Sequence, residues 1–363
     1  MSDRISIHNP FNTHVHFRSG GLLQVAAPLT ARQFWGAIIM PNLIPPLTTV
    51  DQLIAYNKEI SDCLENKDDQ NFKPFLTLYL TENLAVSEIV DAFQEGLAVA
   101  VKYYPRGATT NSAFGIREIE KIYPQLEVME TLGMPLLMHG EEVTDEFGEE
   151  IDPYDREDVF LEKVYWPLRK RFKGLKISLE HISTSAAVAV TKQSTGGQYQ
   201  FTVCPQHLMR DRRDVMRDGN QPDLNCMPRI KRKEHKIALR ELITLGLDCV
   251  ALGSDDAIHP ESGKLRASGC NCGCFTSPYA LELYAQVFDE MNALEHFEAF
   301  TSLNGPRFFR LKPPNNAKTI TLKREEWSPV DTIPIPETLD RARPMGYRED
   351  PRKNIVLQWK MEE

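Results

Sequence analysis

The sequence predicts an α/β protein, specifically a (β/α)8 TIM barrel with a C-terminal strap. Short apolar runs recur along the chain with helical stretches between them, as in a parallel sheet whose strands are joined by helices. The length of 363 residues fits either two ordinary domains or one barrel of about 250 residues with extensions. Polar residues also fall where these apolar runs end, and this pattern favours the barrel.

Eight apolar runs are predicted to be the barrel strands. The first ends at His16, and the others are residues 36–40, 75–80, 97–102, 134–139, 175–181, 199–204 and 249–254. Between them, helical spacing or helix-rich composition predicts helices over residues 87–96, 116–132, 156–172 and 231–246. Eight strands that alternate with helices indicate a (β/α)8 barrel.

The composition changes after residues 304–309. The prolines of 312–314 and 333–336 interrupt a polar tail that carries Trp327 and Trp359 but lacks an apolar pattern large enough for a core. We therefore expect residues 1–311 to form the barrel and residues 312–363 to form an extension packed on it.

Composition and charge exclude several classes of protein. The values of 42% hydrophobic and 26% charged residues are those of an ordinary globular protein. A net charge of −9 argues against nucleic-acid binding, which needs clustered basic surface. The N-terminus lacks the apolar stretch of a secretory signal, and no apolar run approaches the roughly 20 residues of a membrane span. We expect a cytoplasmic protein that does not bind membranes.

The seven cysteines, an odd number, fit reduced thiols better than a disulfide framework. One residue separates Cys270 from Cys272, and one separates Cys272 from Cys274, whereas two residues usually separate the paired cysteines of structural zinc sites. A packed or exposed thiol loop is therefore favoured over a metal site there.

A possible metal site lies at the end of the first strand. In an extended segment, residues i and i+2 project to the same face, so His14 and His16 can reach one ion together. This pair alone also fits two ordinary histidines. Further polar residues lie at or just beyond the ends of the other runs, namely Asn42, Lys102, His139, His181 and Asp255. The carboxyl ends of barrel strands meet at one mouth, so these positions are predicted to form one site.

Four histidines, one aspartate and one lysine exceed what one zinc ion needs, but they fit two divalent ions that share a bridge. The Lys102 ammonium would be repelled by two cations, so it must be displaced, deprotonated or chemically changed. Carboxylation would give an anionic carbamate with two oxygens able to span both ions. An ordinary strand-end lysine that reaches solvent is the alternative.

These residues occur in a series of short motifs. The motifs are His14-Val-His16-Phe-Arg18, Met40-Pro-Asn42, Lys102-Tyr-Tyr-Pro105, Ala108-Thr-Thr-Asn111, Met138-His-Gly-Glu141, Leu179-Glu-His-Ile182 and Gly253-Ser-Asp-Asp-Ala-Ile-His259. Their order closely resembles that of the dihydroorotases of the bacterial single-domain type, within the amidohydrolase superfamily. The resemblance extends from about residue 8 to Asn304-Gly-Pro306, and the tail is less diagnostic.

The resemblance implies a set of roles for these residues. It implies His14, His16 and Asp255 as ligands of the more buried of two zinc ions, His139 and His181 as ligands of the second, and N6-carboxylated Lys102 with a hydroxide as the bridge. It also implies Arg18, Asn42 and His259 as a clamp on the substrate carboxylate, and Thr109 and Thr110 as the tip of a lid loop. A guanidinium is a natural partner of a carboxylate.

The resemblance further implies reversible hydrolysis of (S)-dihydroorotate to N-carbamoyl-L-aspartate in pyrimidine (UMP) biosynthesis, catalysed by a homodimer. The bridging hydroxide would attack the ring amide, and Asp255 would act as general base and then general acid. Asp256 stands next to Asp255, and the sequence alone does not choose between them. The rival enzymes are an allantoinase or a hydantoinase, which share the metal ligands, but the clamp favours an anionic substrate. A non-catalytic scaffold barrel would be expected to lack ligands, and none is missing here.

Overall fold

The structure is a computed structural model that describes residues 3–64, 71–217, 219–266, 269, 271–315, 318–330, 332–346 and 355–362. Cys270, one of the three clustered cysteines, lies outside the described residues. No helix in the described part of the chain is long and apolar enough to cross a membrane.

The strands are numbered in chain order. They are β1 (Arg4–His8), β2 (Phe11–His16), β3 (Gly36–Ile39), β4 (Lys73–Tyr79), β5 (Ala100–Tyr103), β6 (Leu136–His139), β7 (Ile177–Glu180), β8 (Tyr199–Val203), β9 (Val250–Leu252), β10 (Asp256–Ala257), β11 (Thr319–Trp327), β12 (Ile333–Pro334), β13 (Arg341–Ala342) and β14 (Leu357–Met361).

The helices surround the sheet. They are α1 (Gly21–Gln33), α2 (Val50–Asp62), α3 (Val86–Gln94), α4 (Tyr123–Leu132), α5 (Arg156–Phe160), α6 (Trp166–Arg171), α7 (Ser185–Lys192), α8 (Pro205–Met209), α9 (Arg212–Val215), α10 (Lys233–Ile243), α11 (Glu261–Lys264), α12 (Ala280–Glu290) and α13 (Asn304–Phe309). Short 3-10 turns lie at Ile119–Ile122, Pro222–Leu224 and Leu294–His296, and π turns lie at Leu161–Tyr165 and Ala299–Leu303.

The predicted (β/α)8 barrel is confirmed. Strands β2 to β9 pair in parallel in chain order, and each overlaps one of the eight predicted runs. The ring closes where β10, which directly follows β9, pairs in parallel with β2 through Asp256 opposite Val15 and Ala257 opposite His16. The carboxyl ends of all eight strands therefore surround one mouth.

Helices form where they are predicted, and local signals set their ends. Helix α3 lies at 86–94 against the predicted 87–96, and α10 lies within 231–246. The predicted helix over 156–172 is α5 and α6 joined by a π turn. Helix α4 ends at Gly133, whose φ of +69° is a left-handed conformation that suits glycine.

The barrel strands are buried on both faces, as expected for a parallel sheet covered by helices. The tail forms a separate antiparallel sheet in which β11 lies between β1 and β14. Trp359 of β14 is fully buried in the core. The N-terminal strand β1 thus shares a sheet with the tail, which the sequence patterns did not indicate. The domain boundary at 311/312 stays a prediction.

Candidate active site

The predicted functional residues meet at the mouth of the barrel. His14 and His16 lie on β2, Lys102 on β5 and His139 at the end of β6, while Asn42, His181, Asp255 and His259 follow β3, β7, β9 and β10. All eight side chains are buried. Short strands end in loops at this mouth, so residues far apart in the chain become neighbours.

The tightest group of donor atoms is His14, His16 and Asp255. The Nε2 atoms of the two histidines lie 3.1 Å apart, and each lies 3.3 Å from Oδ1 of Asp255. Within the described residues, these three side chains form the cluster whose donor atoms are close enough to hold one ion. Two imidazoles and one carboxylate are typical ligands of a divalent metal.

A row of imidazoles continues from this group. The ring centroids of His14 and His181 are 5.2 Å apart, and those of His181 and His139 are 4.7 Å apart. The Oε2 atom of buried Glu141 lies 2.6 Å from Nε2 of His139. His139 and His181 are therefore neighbours at one end of the row, and His14 and His16 are neighbours at the other.

Lys102 lies inside the site and not in solvent. Its fully buried ammonium donates to Oε2 of Glu180, and the same oxygen is 3.2 Å from Nδ1 of His14. Burial lowers the pKa of Lys102, although Glu180 acts in the opposite direction. Burial alone would raise the pKa of Glu180, but the neighbouring His14 and Lys102 hold it below its ordinary value. Lys102 is therefore not a strand-end lysine that reaches solvent, whereas its role as a metal bridge stays a prediction.

The residues fit bound metal. Burial lowers the pKa of His16 to about 3, and burial together with His139 lowers that of His181 far below its ordinary value. Both imidazoles are therefore neutral at pH 7, and each has one unprotonated nitrogen, as metal ligation requires. The buried Nδ1 of His181 has no hydrogen-bond partner among the described residues. A bound metal ion would give this nitrogen a partner.

The two adjacent aspartates have different surroundings. Asp255 faces the histidines, and its φ of +48° turns the chain so that its carboxylate enters the mouth. The Asp256 carboxylate points away and accepts from the backbone N–H groups and the hydroxyls of Thr276 and Ser277. Of the two aspartates, only Asp255 lies against His14 and His16.

Arg18, Asn42 and His259 are brought together beside the cluster. Nη2 of Arg18 lies 3.2 Å from Nε2 of His259, and Nη1 is 3.5 Å from Oδ1 of Asn42. That same oxygen lies 2.7 Å from Nδ1 of His16. Arg18 is 8% exposed, and its guanidinium lies outside any ion pair in the described structure. A buried cation next to the metal donors is suited to an anionic ligand.

The loop that carries Thr109 and Thr110 reaches this group. Thr110 Oγ1 donates to the carbonyl of Cys272 at 3.2 Å, and the carbonyl of Thr110 accepts from Asn42 Nδ2 at 3.0 Å. Asn111 Nδ2 donates to the Asn42 carbonyl at 2.8 Å. Thr109 lies beside them, with its N–H donating to Ser112 at 3.0 Å. The loop thus lies over the arginine group.

Several residues that support the site were missed by sequence reasoning. Asn12 Oδ1 accepts from the N–H groups of His14 and Ser254, each at 3.1 Å, and so ties β2 to the turn before Asp255. Gln206 Nε2 lies 3.5 Å from Oδ2 of Asp255. The only available signal was position, because Asn12 lies two residues before His14 on the same face of a strand.

The remaining histidines and cysteines lie apart from the cluster. His207 contacts Cys204 Sγ at 3.1 Å and the Pro228 carbonyl at 3.0 Å. Cys272 is half-buried, and Cys274 is a buried free thiol. Neither belongs to a group of donor atoms that could hold an ion among the described residues.

Comparison with known proteins agrees with this arrangement. The amidohydrolase family model matches residues 11–314. The dihydroorotase of Cronobacter sakazakii is 46% identical over 331 residues, which cover 91% of this chain and 92% of the relative. The dihydroorotase of Klebsiella pneumoniae strain MGH 78578 is 45% identical and covers 93% and 94%.

Solved structures give the same result. The crystal structure of Campylobacter jejuni dihydroorotase has a TM-score of 0.86 and 33% identity, and it covers 100% of this chain and 98% of that one. The Saccharomyces cerevisiae dihydroorotase in complex with 5-fluoroorotic acid has a TM-score of 0.88 at 28% identity, covering 99% and 98%. The L-hydantoinase of Arthrobacter aurescens, at 17% identity and a TM-score of 0.77 over 98% of this chain and 82% of that one, shares the fold.

The family match covers most of the chain, and the curated relatives exceed two-fifths identity over more than nine-tenths of it. This chain therefore belongs to the amidohydrolase family and, within it, to the dihydroorotases.

Proposed function

We propose that this chain is a metal-dependent dihydroorotase that reversibly hydrolyses the ring amide of (S)-dihydroorotate to N-carbamoyl-L-aspartate in pyrimidine synthesis. The observation that carries this function is the direct contact between a buried anion clamp and a cluster of metal donors. Asn42 Oδ1 contacts both His16, at 2.7 Å, and Arg18, at 3.5 Å. A carboxylate held by Arg18 would therefore place the rest of a small ring over the cluster.

We infer two zinc ions per subunit. His14, His16 and Asp255 would hold one, His139 and His181 the other, and carboxylated Lys102 would join them. The buried Lys102 with its lowered pKa supports this assignment, because carboxylation requires an unprotonated amine. Bound divalent ions supply Lewis acidity, which lowers the pKa of water and polarises a carbonyl.

Asp255 is the proposed acid and base. Its carboxylate lies at the barrel mouth, and burial is outweighed by His16 and His14, which hold its pKa below the ordinary value. An ionised carboxylate can accept a proton from water as the water oxygen bonds to the amide carbon. The carbon–nitrogen bond then breaks, and Asp255 returns the proton to the departing ring nitrogen. The proton that leaves the water thus ends on the ring nitrogen, and the reaction needs no nucleophilic serine or cysteine.

The substrate clamp and the lid complete the proposal. Arg18 would hold the carboxylate through its guanidinium fork, while Asn42 and His259 orient that fork. Thr109 and Thr110 would cover the bound ring, and the lid would limit the entry of bulk water. The contacts of Thr110 with Asn42 and Cys272 support this closed position.

The other candidate functions lack this support. Allantoinases and hydantoinases are the enzymes with the nearest chemistry, but the likeness to a hydantoinase at 17% identity concerns the fold alone. A buried arginine in the clamp favours a substrate that carries a carboxylate. A scaffold barrel would not be expected to keep every donor buried and grouped. Homodimer formation and a cytoplasmic location stay predictions.

The test measures the hydrolysis of dihydroorotate by purified, zinc-loaded protein as a decrease in absorbance near the absorption band of dihydroorotate. The same assay is run after chelation and with Lys102→Ala. Turnover that needs both the metal and Lys102 is the expected result. Intact zinc binding without turnover of dihydroorotate would contradict the substrate assignment and favour another cyclic amide.

A further inference from the structure

The first turn of helix α5 contacts the loops that follow two different barrel strands. The Arg156 carbonyl accepts from the N–H of Glu142 at 3.0 Å, in the loop that follows β6 and His139. The next residue, Glu157, reaches the loop that follows β7 and His181. One helical turn thus joins the loop that follows His139 to the loop that contains His181.

Glu157 is fully buried and remote from solvent. Its Oε1 accepts the N–H of Ser183 at 2.9 Å, while its Oε2 accepts the same N–H at 3.1 Å and the Ser183 hydroxyl at 3.1 Å. Burial raises the pKa of Glu157 to about 7, with Lys231 acting in the opposite direction. Burying a carboxyl group costs free energy, and here hydrogen bonds from Ser183 to both oxygens offset that cost. These bonds indicate that Glu157 holds the Ser183 backbone in place.

The loop that Glu157 holds has an unusual backbone. His181 has a φ of +42°, in the left-handed region that non-glycine residues rarely adopt. Its N–H donates to Thr202 Oγ1 at 2.7 Å, and the N–H of Ile182 donates to the Thr202 carbonyl at 3.0 Å. The strained turn is therefore fixed by Thr202 on one side and, two residues later, by Glu157 on the other.

We propose that Glu157 is a positioning residue that holds His181, and through it the second half of the histidine row, in ligating geometry. It touches neither the proposed substrate nor the proposed ions, and it acts through Ser183. The inference rests on the proposed two-metal function. It predicts a selective effect, because among the described residues the side-chain hydrogen bonds of Glu157 go to Ser183, and none goes to β2, which carries His14 and His16, or to the turn that carries Asp255.

The test measures zinc affinity of the metal-free protein with a chromophoric competitor, so that it does not depend on activity. Four proteins are compared: the wild type, Glu157→Gln, His181→Ala as the benchmark for a lost second site, and Glu282→Gln as the matched control. Glu282 is also buried and its pKa is also raised by burial to about 7, but it lies on α12, where its Oε1 accepts from the N–H of Met361 on β14 at 3.4 Å.

We expect wild type and Glu282→Gln to show two zinc sites of the same affinities. Glu157→Gln should retain the first and bind the second about tenfold more weakly, at the lower end of what outer-shell changes cost metal sites. Unchanged affinities in Glu157→Gln, or an equal loss at both sites, would overturn the proposal. A wild type that turns over with one zinc, insensitive to His181→Ala, would instead overturn the two-metal function, and this proposal with it.

A milder variant covers the case in which Glu157→Gln does not fold. Ser183→Ala removes the hydroxyl donor and leaves the N–H bonds to Glu157 in place. Its second-site affinity should fall severalfold while the first site is unchanged. Second-site affinity equal to that of wild type in this variant would likewise contradict the proposal.

Discussion

The adjacent aspartates offer a matched test of the site, because the same substitution should produce opposite defects. Asp255→Asn removes the proposed proton acceptor at the mouth, whereas Asp256→Asn changes a carboxylate that is bonded away from it. We expect Asp255→Asn to abolish most turnover with little loss of stability in the metal-free protein. Asp256→Asn should lose stability and keep the reaction chemistry.

The stability loss follows from the contacts of Asp256. One oxygen accepts from Thr276 N–H, Thr276 hydroxyl and Ser277 N–H, and the other accepts from the Ser277 hydroxyl. A hydrogen bond to a charged group contributes roughly 1.5–3 kcal/mol. Asparagine keeps one acceptor but loses the charge and turns the second position into a donor. Two such bonds are weakened, but burial raises the pKa of Asp256, so removing the charge offsets part of their contribution. We therefore expect a net loss of about 2–4 kcal/mol.

Thermal unfolding of the metal-free variants measures this difference. For a chain of this length, the loss corresponds to a fall in Tm of about 3–5 °C. Turnover of dihydroorotate by the zinc-loaded variants is measured in parallel. The reasoning is refuted if Asp256→Asn loses turnover at an unchanged Tm, or if Asp255→Asn retains wild-type turnover.

Three further predictions concern the clamp, the lid and a remote acid. Arg18→Lys should raise KM about tenfold, because an ammonium lacks the fork that holds a carboxylate, and steady-state kinetics with unchanged KM would contradict the clamp. Thr110→Ala removes the hydrogen bond to Cys272 and should raise KM severalfold at an unchanged Tm, measured in the same assay. Burial raises the pKa of Glu282 from 4.5 to about 7, so folding favours its protonated form, and stability is lost as pH rises between these values. Glu282→Gln should raise the free energy of unfolding by about 3 kcal/mol at pH 8 but by little at pH 5. Thermal unfolding at the two pH values measures this, and equal changes in Tm would contradict it.

The barrel and its mouth could be predicted because each strand is encoded locally. A short apolar run followed by a polar residue is visible in sequence, and barrel topology then gathers the ends of all strands. For the same reason His14, Lys102 and His139 could be placed at one site, although they lie on three strands. The structure shows all three buried there.

Long-range pairing was not predictable in the same way. Strand β1 pairs with β11, and Ser6 faces Thr321 across 315 residues of chain. Nothing in the local pattern of Arg4–His8 specifies that partner, since any half-exposed strand carries the same signal. The strap therefore includes the start of the chain as well as its end.

The role of Glu180 was hidden for a different reason. Strands buried on both faces lack the alternation of polar and apolar residues that tells inside from outside. Glu180 ends β7, directly before His181, so sequence allowed either an exposed carboxylate or one that orients a histidine. In the structure it is buried and contacts both Lys102 and His14.

Backbone strain explains why the turns at the mouth resist prediction altogether. Arg18, His181 and Asp255 have φ values of +62°, +42° and +48°, which glycine would adopt more easily. Glycine could not take their proposed roles, which need a guanidinium, an imidazole and a carboxylate. Each left-handed residue costs of order 1 kcal/mol and persists only where neighbours impose it. Tyr56 donates to the Arg18 carbonyl at 2.6 Å, and Thr202 accepts from His181 N–H at 2.7 Å. Propensity thus disfavours these conformations, and only the folded barrel supplies the hydrogen bonds that maintain them.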